Sequence, residues 1–414
     1  MSGGSTMARL ASRKVIDALG ALLRRNGAIG DEDIRIRTFA HARSFAPPAA
    51  ARAHEVPDGA LVADEPSPHE VRERLSALME HVAAQVRAAE LPHIDLPHRH
   101  RTNAIYDQRG NVFVGGHVRT LSLDRHDGQS FVRVMMALET ASQNLRDGAR
   151  TSLRGLYYRH RHELDHTQED TDRAIVSLAS VLRVRRRALG FVEAPRGFIC
   201  GRLVIRDGDE TVDLAKLGPS GRVVPRFDDR VEILSSDAKV IVIVEKHAIA
   251  QRLAESRWCD AARCILLCGY GFPSVSTREL VRKLTETLRI PAVIFADADP
   301  AGVRLALTYA HGSISTALET PWLACNQLRW AGMYPSDYER HFTKRDEIRL
   351  SEDDRDRARE MIEHPSRAYV NDRIRKELAI LVDRGFKVEL DTLCRDSRLV
   401  DYMQHKLDSD LIEL

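Results

Sequence analysis

Residues 240–244 (VIVIV) and 291–296 (PAVIFA) establish how this chain folds, because each is a short apolar run that leads into acid. Glu245 follows the first run, and Asp297 and Asp299 come directly after the second. The sequence between the two runs has helical character. Open α/β sheets collect their functional groups at the carboxyl ends of parallel strands. The spacing therefore predicts two buried parallel strands with three carboxylates at one edge of a sheet.

Three carboxylates at one sheet edge form a hard oxygen site, which suits Mg²⁺ and metal-assisted phosphoryl transfer. Strand alternation would point the side chains of Asp297 and Asp299 to the same side. Glu245 is alternatively a general acid or base. A plainer alternative is that all three acids are solvated loop residues. Lys246 and His247, which follow directly, are expected to lie in solvent.

Composition places few limits on function. The 414 residues predict two or three domains, and a 43% hydrophobic content supports ordinary cores. The formal charge of +2 does not indicate nucleic acid by itself. No apolar run reaches the ~18 residues of a membrane span, so no membrane partner is expected. The six cysteines show neither C-x-x-C nor zinc spacing, which favours a reducing cytoplasm.

The first 70 residues predict a helix followed by a flexible arm. The start is amphipathic and rich in Arg, as a transit peptide would be. An ordinary helix within residues 1–30 is the favoured interpretation, because Asp17 interrupts the pattern and acids follow at 31–33. Residues 31–70 are rich in Pro, Ala and charge, which is typical of a loose arm.

The rest of the chain predicts an α/β multidomain protein. Three helical segments within 129–190 precede a β segment with a hairpin turn at Asp207-Gly208, the order of a winged-helix module. We therefore predict a winged-helix domain over 71–217 and a linker over 218–236. The α/β domain, with its mostly parallel sheet and a C-terminal helical extension, is predicted over 237–414.

Arg154 and Tyr158 form a second candidate site. A tyrosine phenol is a weak acid, and it needs a nearby cation or metal before it can attack a phosphate. Arg154 lies four residues before Tyr158, on the same face if this segment is a helix. The alternative is that Tyr157 and Tyr158 are ordinary amphipathic residues.

Two further features carry positive charge. One is a basic set at the end of the third helix and the start of the β segment: Arg183, Arg185, Arg186, Arg187 and Arg196. Such a set neutralises DNA phosphates or is simply a solvated face. The other is a Gly-rich turn at 269–273 and the helix that follows it, on which Arg278 and Arg282 either face DNA or are ordinary solvated arginines. The turn matches neither a dinucleotide fingerprint nor a Walker loop.

These features occur together and in order, and the chain resembles the A subunit of DNA topoisomerase VI and the related meiotic double-strand-break transesterases. The acid-bearing strands are similar to a Toprim domain. The segments that carry the resemblance are 151–164 (TSLRGLYYRHRHEL), 240–258 (VIVIVEKHAIAQRLAESRW), 296–313 (ADADPAGVRLALTYAHGS), 328–340 (LRWAGMYPSDYER) and 373–393 (RIRKELAILVDRGFKVELDTL).

The resemblance implies roles for single residues. Tyr158 would be the nucleophile that becomes linked to a DNA 5′ phosphate, with Arg154 assisting at that phosphate. Glu245, Asp297 and Asp299 would bind Mg²⁺. It also implies a CAP-like winged helix and double-stranded DNA as substrate. The protein would act as a homodimer in which the tyrosine of one protomer works with the acids of the other.

The resemblance further implies a separate partner, a GHKL-type ATPase B subunit, in an assembly with two copies of each chain. ATP would be bound by that partner, because this chain has no ATP-binding motif. The leading hypothesis is thus the DNA-cleaving subunit of a type IIB topoisomerase. The alternatives are a transesterase that does not reseal its breaks, a catalytically idle DNA-binding protein, and a Toprim nuclease of a plasmid-defence complex.

The chain departs from the family pattern at four positions: Tyr270, Phe272, Ser274 and Ala301. The first three put the detail of DNA contact by the Gly-rich turn in doubt, while the acids are retained.

Overall fold

The computed structural model describes residues 13–25, 56–162, 167–194, 196–225, 231–395, 398–408 and 411–414. The chain forms two compact units. The first is built from residues 1–105, 113–194 and 314–319, and the second from residues 106–112, 195–313 and 320–414. No helix within the described ranges is long and apolar enough to cross a membrane. The predicted arm falls largely on residues 26–55, which lie outside the described residues.

Helices dominate the first unit. They are α1 (Arg13–Arg25), α2 (Pro68–Arg87), α3 (Gly128–Asp147), α4 (Leu153–His160) and α5 (Gln168–Leu182). The strands that lie wholly or mainly in this unit are β1 (Ala60–Leu61), β2 (His93–Pro97), β3 (Ala104–Tyr106), β4 (Val112–Gly115), β5 (Val118–Ser122), β6 (Thr151–Ser152) and β7 (Phe191–Val192). They form one three-stranded sheet, in the order β1-β4-β3, and two pairs, β2-β5 and β6-β7.

Helix α3 forms the centre of the first unit's core. Phe131, Met135 and Leu138 on this helix are 0% exposed. Helix α1 packs against α3. A bidentate ion pair links the two helices: Arg25 on α1 donates from Nε and Nη2 to the Glu139 carboxylate on α3, at 3.1 Å each. The prediction of an N-terminal helix and of three helices within 129–190 is thus confirmed.

The second unit is a mixed α/β layer structure. Its helices are α6 (His247–Glu255), α7 (Trp258–Ala261), α8 (Val275–Leu288), α9 (Pro300–His311), α10 (Thr320–Leu323), α11 (Tyr338–His341), α12 (Glu352–Ile362), α13 (Asp372–Arg384) and α14 (Leu399–Leu407). Its strands are β8 (Phe198–Gly201), β9 (Val204–Asp207), β10 (Glu210–Asp213), β11 (Arg222–Val223), β12 (Val231–Ser235), β13 (Val240–Val244), β14 (Cys264–Cys268), β15 (Ala292–Phe295), β16 (Leu328–Gly332), β17 (Ile348–Arg349), β18 (Phe386–Lys387) and β19 (Ile412–Glu413).

A seven-stranded sheet organises this unit, in the order β11-β8-β14-β13-β15-β16-β19. The four central strands, β14, β13, β15 and β16, run parallel, and the strands outside them pair antiparallel. Strands β13 and β15 are therefore neighbours, as the apolar runs predicted, and their carboxyl ends lie at the same edge.

Both faces of the central strands are buried, which explains their unbroken apolar sequence. Along β13, Ile241 and Ile243 enter one hydrophobic core, and Val242 and Val244 enter another on the opposite face. Helices α8 and α9 contribute to the first core, and α6 and α14 to the second. An acid that follows one of these strands therefore lies in the loop just beyond the buried layer.

The structure ends the first unit earlier than the sequence predicted. The predicted hairpin exists, since β9 and β10 pair around Gly208, but β12 joins them as a third strand. Strand β8 belongs to the seven-stranded sheet, where Ile199 pairs with Leu267 and is 0% exposed. The described residues 196–225 and 231–236, which include most of the predicted linker, thus fold with the second unit, because their apolar side chains pack into its core. The winged-helix class of the first unit stays a prediction.

Candidate active site

Helix α4 presents the candidate nucleophile. The helix begins where the Ser152 side chain accepts the Gly155 N–H at 2.9 Å, an N-cap that satisfies one free donor of the first turn. Leu156 and His160 point inward and are buried. Tyr158 lies on the opposite face and is 49% exposed. A half-exposed phenol at a helix surface can be reached by a large substrate.

Two arginines surround the Tyr158 ring. The guanidinium carbon of Arg154 lies 5.6 Å from the ring centroid, and that of Arg161 lies 5.9 Å from it. The prediction that Arg154 shares a face with Tyr158 is confirmed, because both lie on the same helix four residues apart. Tyr157 packs at a tilt, with its ring centroid 5.3 Å from that of Tyr158. The arrangement places two positive charges where a phosphate would have to approach the phenol.

The acids lie at the carboxyl ends of β13 and β15, as predicted. The Asp297 N–H donates to Glu245 Oε2 at 3.0 Å, which ties the two strand ends together. Burial, followed by repulsion from Asp297 and Asp299, raises the pKa of Glu245 to about 7. Burial also raises the pKa of Asp297, which is 5% exposed. Burial is the largest cause of both shifts, and repulsion among the acids adds to it.

Asp297 and Asp299 differ in what they contact. Strand β15 ends at Phe295, so strand alternation no longer sets the direction of either side chain. Asp297 Oδ1 accepts the Leu390 N–H at 2.8 Å. Asp299 caps α9, and its Oδ1 accepts the Gly302 N–H at 2.8 Å. The alternation argument for Asp297-Ala298-Asp299 was therefore wrong in its reason, although both acids lie beside Glu245.

Two lysines neutralise these acids in the structure. The ammonium group of Lys246 lies 2.9 Å from Asp297 Oδ2, and that of Lys387 lies 3.3 Å from Asp299 Oδ2. Lys387 also lies 3.1 Å from Asp354 Oδ2. Burial alone would lower the pKa values of both lysines, but the acids that bind the ammonium groups raise them overall. Lys246 was expected to be solvated and is instead a member of the site.

Sequence reasoning missed a third component, which we call the strap (residues 386–391, FKVELD). The strap crosses the second acid segment, where the Ala298 N–H donates to the Val388 carbonyl at 3.0 Å. Val388 and Leu390 are buried, while Lys387 reaches Asp299 and Glu389 reaches Lys246. Lys246 Nζ lies 2.9 Å from Glu389 Oε2 and 2.6 Å from Asp391 Oδ2. The alternation of apolar and charged residues was the available signal.

The donor set fits a divalent cation in kind. Glu245, Asp297 and Asp299 supply only carboxylate oxygens, which Mg²⁺ prefers, and the raised pKa of Glu245 reflects charge that a cation would relieve. Across the described ranges, however, no three acidic, His or Cys groups already converge in a geometry that holds an ion. Lys246 and Lys387 each hold an oxygen of Asp297 and Asp299, respectively, so an ion bound there would have to displace the two lysines.

The Gly-rich turn is attached to the acid site. The Gly271 N–H donates to the Glu245 carbonyl at 3.0 Å, and Tyr270 adopts a left-handed φ of 58°. Arg196 is exposed and donates to the Tyr270 carbonyl at 2.8 Å. Phe272 is 42% exposed, with the Arg304 guanidinium 4.9 Å from its ring centroid. The turn thus offers an exposed aromatic and two arginines near the acids.

The predicted basic set is divided by the fold. Arg185 is 3% exposed, with Nη1 2.7 Å from Glu65 Oε1. Arg186 pairs with Glu319, with 2.8 Å between Nε and Oε1. These two arginines are held in ion pairs within the first unit, with 3% and 15% of their side chains exposed, which argues against their predicted contact with DNA. Arg187 remains 46% exposed beside Glu65, and Arg183 is half-buried at the end of α5.

Arg278 was also predicted to face DNA. It lies in the first turn of α8 and is 2% exposed, on the face that packs into the core. Its side chain is therefore unavailable to DNA in this structure.

Two known families match separate parts of the chain. Residues 240–407 match the family described as the Toprim domain of the topoisomerase 6 A subunit/Spo11. Residues 129–191 match the family described as type IIB DNA topoisomerase. The first range contains Glu245, Asp297 and Asp299, and the second contains Arg154 and Tyr158.

Individual proteins match over longer stretches. The chain is 32% identical over 343 residues to "Meiotic recombination protein SPO11-2" of Oryza sativa subsp. japonica, a match that covers 79% of this chain and 88% of the relative. It is 31% identical to "Meiotic recombination protein SPO11" of Homo sapiens, over 64% of this chain and 67% of the relative. It is 30% identical to the A subunit of DNA topoisomerase 6 from Arabidopsis thaliana, over 56% of this chain and 54% of the relative. The chain therefore belongs to the topoisomerase 6 A-subunit/Spo11 family of DNA-cleaving subunits.

Proposed function

We propose that this chain is the DNA-cleaving subunit of a topoisomerase VI-like, type IIB enzyme and that it cuts double-stranded DNA through Tyr158. One observation carries the proposal: a half-exposed tyrosine on α4 has the guanidinium groups of Arg154 and Arg161 beside its ring, and three acids follow two neighbouring strands of the same chain. Neither feature alone specifies transesterification, since tyrosine–arginine pairs and strand-end acids are both common.

Cleavage would be an in-line exchange of phosphate esters. The Tyr158 hydroxyl gives up its proton to a base and attacks a backbone phosphorus, forming the Oη–P bond. The P–O3′ bond breaks, and the departing 3′ oxygen takes up a proton. The product is a 5′-phosphotyrosyl link and a free 3′ hydroxyl. The exchange is nearly isoenergetic, so the reverse reaction reseals the strand without ATP.

The arginines and acids have separate tasks in this scheme. Arg154 and Arg161 lie where they can bind the non-bridging oxygens of the phosphate that approaches Tyr158. Glu245, Asp297 and Asp299 would hold Mg²⁺. The ion would neutralise the phosphate and stabilise the leaving 3′ oxygen. Glu245, with its raised pKa, is the acid best suited to exchange a proton for the ion near neutral pH.

The working form is proposed to be a homodimer. In this arrangement Tyr158 of one protomer acts with Glu245, Asp297 and Asp299 of its partner, so two such pairs cut the two strands. An isolated protomer would then be inactive although it contains every residue. Mixing protomers that carry Tyr158→Phe with protomers that carry Asp297→Asn would restore one complete site in each mixed dimer.

Strand passage is the finer part of the proposal. It requires a gate driven by ATP, so we propose that the partner is a GHKL-type ATPase B subunit, with two copies of each chain in the assembly. The similarity to the topoisomerase 6 A subunit of Arabidopsis thaliana supports this version.

A second candidate is a transesterase that makes breaks without resealing them. The same residues would cut, and only the partner would differ. It is supported by the longer matches to relatives named meiotic recombination proteins, of which the SPO11-2 match covers 88% of the relative.

One experiment separates these candidates. The protein is incubated with labelled supercoiled DNA and Mg²⁺, with and without a candidate ATPase, and stopped with denaturant. Protein linked covalently to 5′ ends, and lost in Tyr158→Phe, supports cleavage. Relaxation that depends on ATP supports the topoisomerase, whereas linked breaks that persist after Mg²⁺ removal support the second candidate. Absence of linked DNA under every condition would contradict both.

A further inference from the structure

We propose that Lys246 is a tethered cation that competes with the divalent ion for Asp297, and that Glu389 and Asp391 hold its ammonium group once the ion has bound. The proposal rests on the Mg²⁺ role put forward above and concerns residues that this role leaves unexplained. It makes Lys246 a positioning residue, and the strap a determinant of metal affinity that contributes no ligand.

The geometry of the ammonium group is the first argument. Lys246 Nζ contacts three carboxylates at once, at 2.9 Å from Asp297, 2.9 Å from Glu389 and 2.6 Å from Asp391. One partner is a proposed metal ligand and two are not. An ammonium group and Mg²⁺ cannot share the same Asp297 oxygen, because their charges repel at that distance.

The difference in burial among the three acids is the second argument. Asp297 is 7% exposed at its side chain, while Glu389 and Asp391 are 41% and 44% exposed. Acids that face water attract a distant ion only weakly, because solvent and salt screen their field. Their effect at the site is therefore exerted through direct contact with Lys246.

The attachment of the strap is the third argument. The Leu390 N–H donates to Asp297 Oδ1 and the Ala298 N–H donates to the Val388 carbonyl. Leu390 is 0% exposed and Val388 4%. These contacts do not involve Lys246, so the strap stays in place when the ammonium group leaves Asp297. Glu389 and Asp391 then keep two of its three charged contacts.

The three carboxylates around Lys246 (Asp297, Glu389 and Asp391) predict how substitutions at the strap and at Lys246 should combine in their effect on metal affinity. With both strap acids present, releasing Asp297 costs the ammonium group one contact of three. With both neutralised, Asp297 is the one carboxylate left among these contacts, so the lysine competes with the ion at full strength. Neutralising the strap acids should therefore weaken metal binding only while Lys246 is present.

The test measures Mn²⁺ affinity by electron paramagnetic resonance on the full-length, EDTA-stripped protein. Four proteins are compared: wild type, Lys246→Met, Glu389→Gln/Asp391→Asn, and the triple variant. We expect Lys246→Met to bind Mn²⁺ about tenfold more tightly and Glu389→Gln/Asp391→Asn about tenfold more weakly than wild type. The triple variant should match Lys246→Met within about twofold, a non-additive result.

Lys239→Met is the matched control. Lys239 is exposed and immediately precedes β13, at the end of that strand opposite Glu245. The variant removes the same charge from a position beside the other end of the same strand, and its Mn²⁺ affinity should equal that of wild type. If the strap double variant does not fold, Glu389→Gln alone, at a 41% exposed position, replaces it in the cycle.

Each outcome supports or overturns the proposal. If the strap substitutions weaken Mn²⁺ binding equally with and without Lys246, the strap acids are ligands or act through their field, and the proposal is wrong. If Lys246→Met lowers thermal stability but leaves Mn²⁺ affinity unchanged, the lysine is purely structural, and the proposal is again wrong. If wild type binds no Mn²⁺ and Glu245→Gln changes nothing, the metal role itself fails together with this inference.

Discussion

Helix α4, which carries Tyr158, and the sheet edge with Glu245, Asp297 and Asp299, which we call the acid edge, are built in opposite ways. Tyr158 lies half exposed on an eight-residue helix, and its charged neighbours come from the same short segment. The acids lie at the end of a sheet that is buried on both faces, and their partners come from positions up to 93 residues away. The nucleophile is thus a local feature presented to substrate, whereas the acid site is a product of the whole unit.

This contrast locates the vulnerability of each site. Substitution at Tyr158 removes a reacting atom and disturbs little else. Substitution at Asp297 or Lys246 changes several contacts among distant segments at once. The consequences for activity and for stability should therefore separate in the first site and mix in the second.

Tyr158→Phe should have the most severe consequence for activity. The ring and its packing remain, so thermal unfolding should match wild type, while covalent linkage to DNA disappears because the attacking oxygen is gone. The measurement is gel-resolved protein–DNA adduct after denaturation. Tyr157→Phe is the matched control and should retain adduct formation. Residual adduct in Tyr158→Phe would move the nucleophile elsewhere.

Asp297→Asn should lower Mg²⁺-dependent cleavage by about a hundred- to a thousandfold, the usual cost of losing one charge-stabilising group. It should also alter stability, because Asp297 contacts Leu390 and Lys246. Cleavage rates and thermal melts of the same preparations test both expectations. Asp260→Asn, at an exposed acid of the same unit, should leave both unchanged. Wild-type cleavage in Asp297→Asn would remove this residue from the metal site.

Arg186→Met should destabilise the first unit by about 3–5 kcal/mol, because it leaves Glu319 buried without this partner. The corresponding change at exposed Arg187 should cost less than about 1 kcal/mol. Urea unfolding of the two variants makes the comparison. Equal and small losses in the free energy of unfolding would show that the Arg186–Glu319 pair is not structural and that Arg186 is available to contact DNA, as the sequence suggested.

The acid edge should make the metal-free protein less stable as pH rises. The pKa of Glu245 is about 7 in the folded state against an ordinary value of 4.5, so the folded state binds the proton more tightly. Stability from this group is complete below pH 4.5 and is lost as pH rises to about 7, by about 1–3 kcal/mol. Unfolding in EDTA across this range measures the loss. In Glu245→Gln, the free energy of unfolding should fall less steeply with pH, because only the contribution of Asp297 remains. A slope equal to that of wild type would show that Glu245 is not the group responsible.

Arg187→Ala should have the mildest consequence, a change in DNA affinity. If Arg187 neutralises one phosphate, the slope of log K against log salt should fall by about 0.9. Titrations at several salt concentrations measure the slope. Arg206→Ala, an exposed arginine paired with Glu232 in the second unit, is the control. An unchanged slope would remove Arg187 from the DNA surface.

Much of the acid site was predictable because its logic is local to each strand. The apolar runs before Glu245 and Asp297 specify buried strands, and parallel neighbours must bring their ends together. The contributions of Lys246, Glu389 and Asp391 were not predictable, since their contact depends on where the strap crosses the sheet. The burial of Arg185 and Arg278, and the pairing of Arg186 with Glu319, were missed for a related reason. An arginine is buried only when distant segments of the fold bring acid partners to it or pack around it.

Sequence alone was enough to specify the helix that carries Arg154 and Tyr158, the acid-terminated strands and the family to which the chain belongs. Each of these follows from short-range periodicity or from motifs that survive in order along the chain. Only the assembled fold shows that strand β8 joins the large sheet, that Arg185 and Arg186 of the basic set are structural, and that a lysine and a strap complete the acid site. Those outcomes depend on which distant segments exclude water together, a property of the folded whole that no local pattern records.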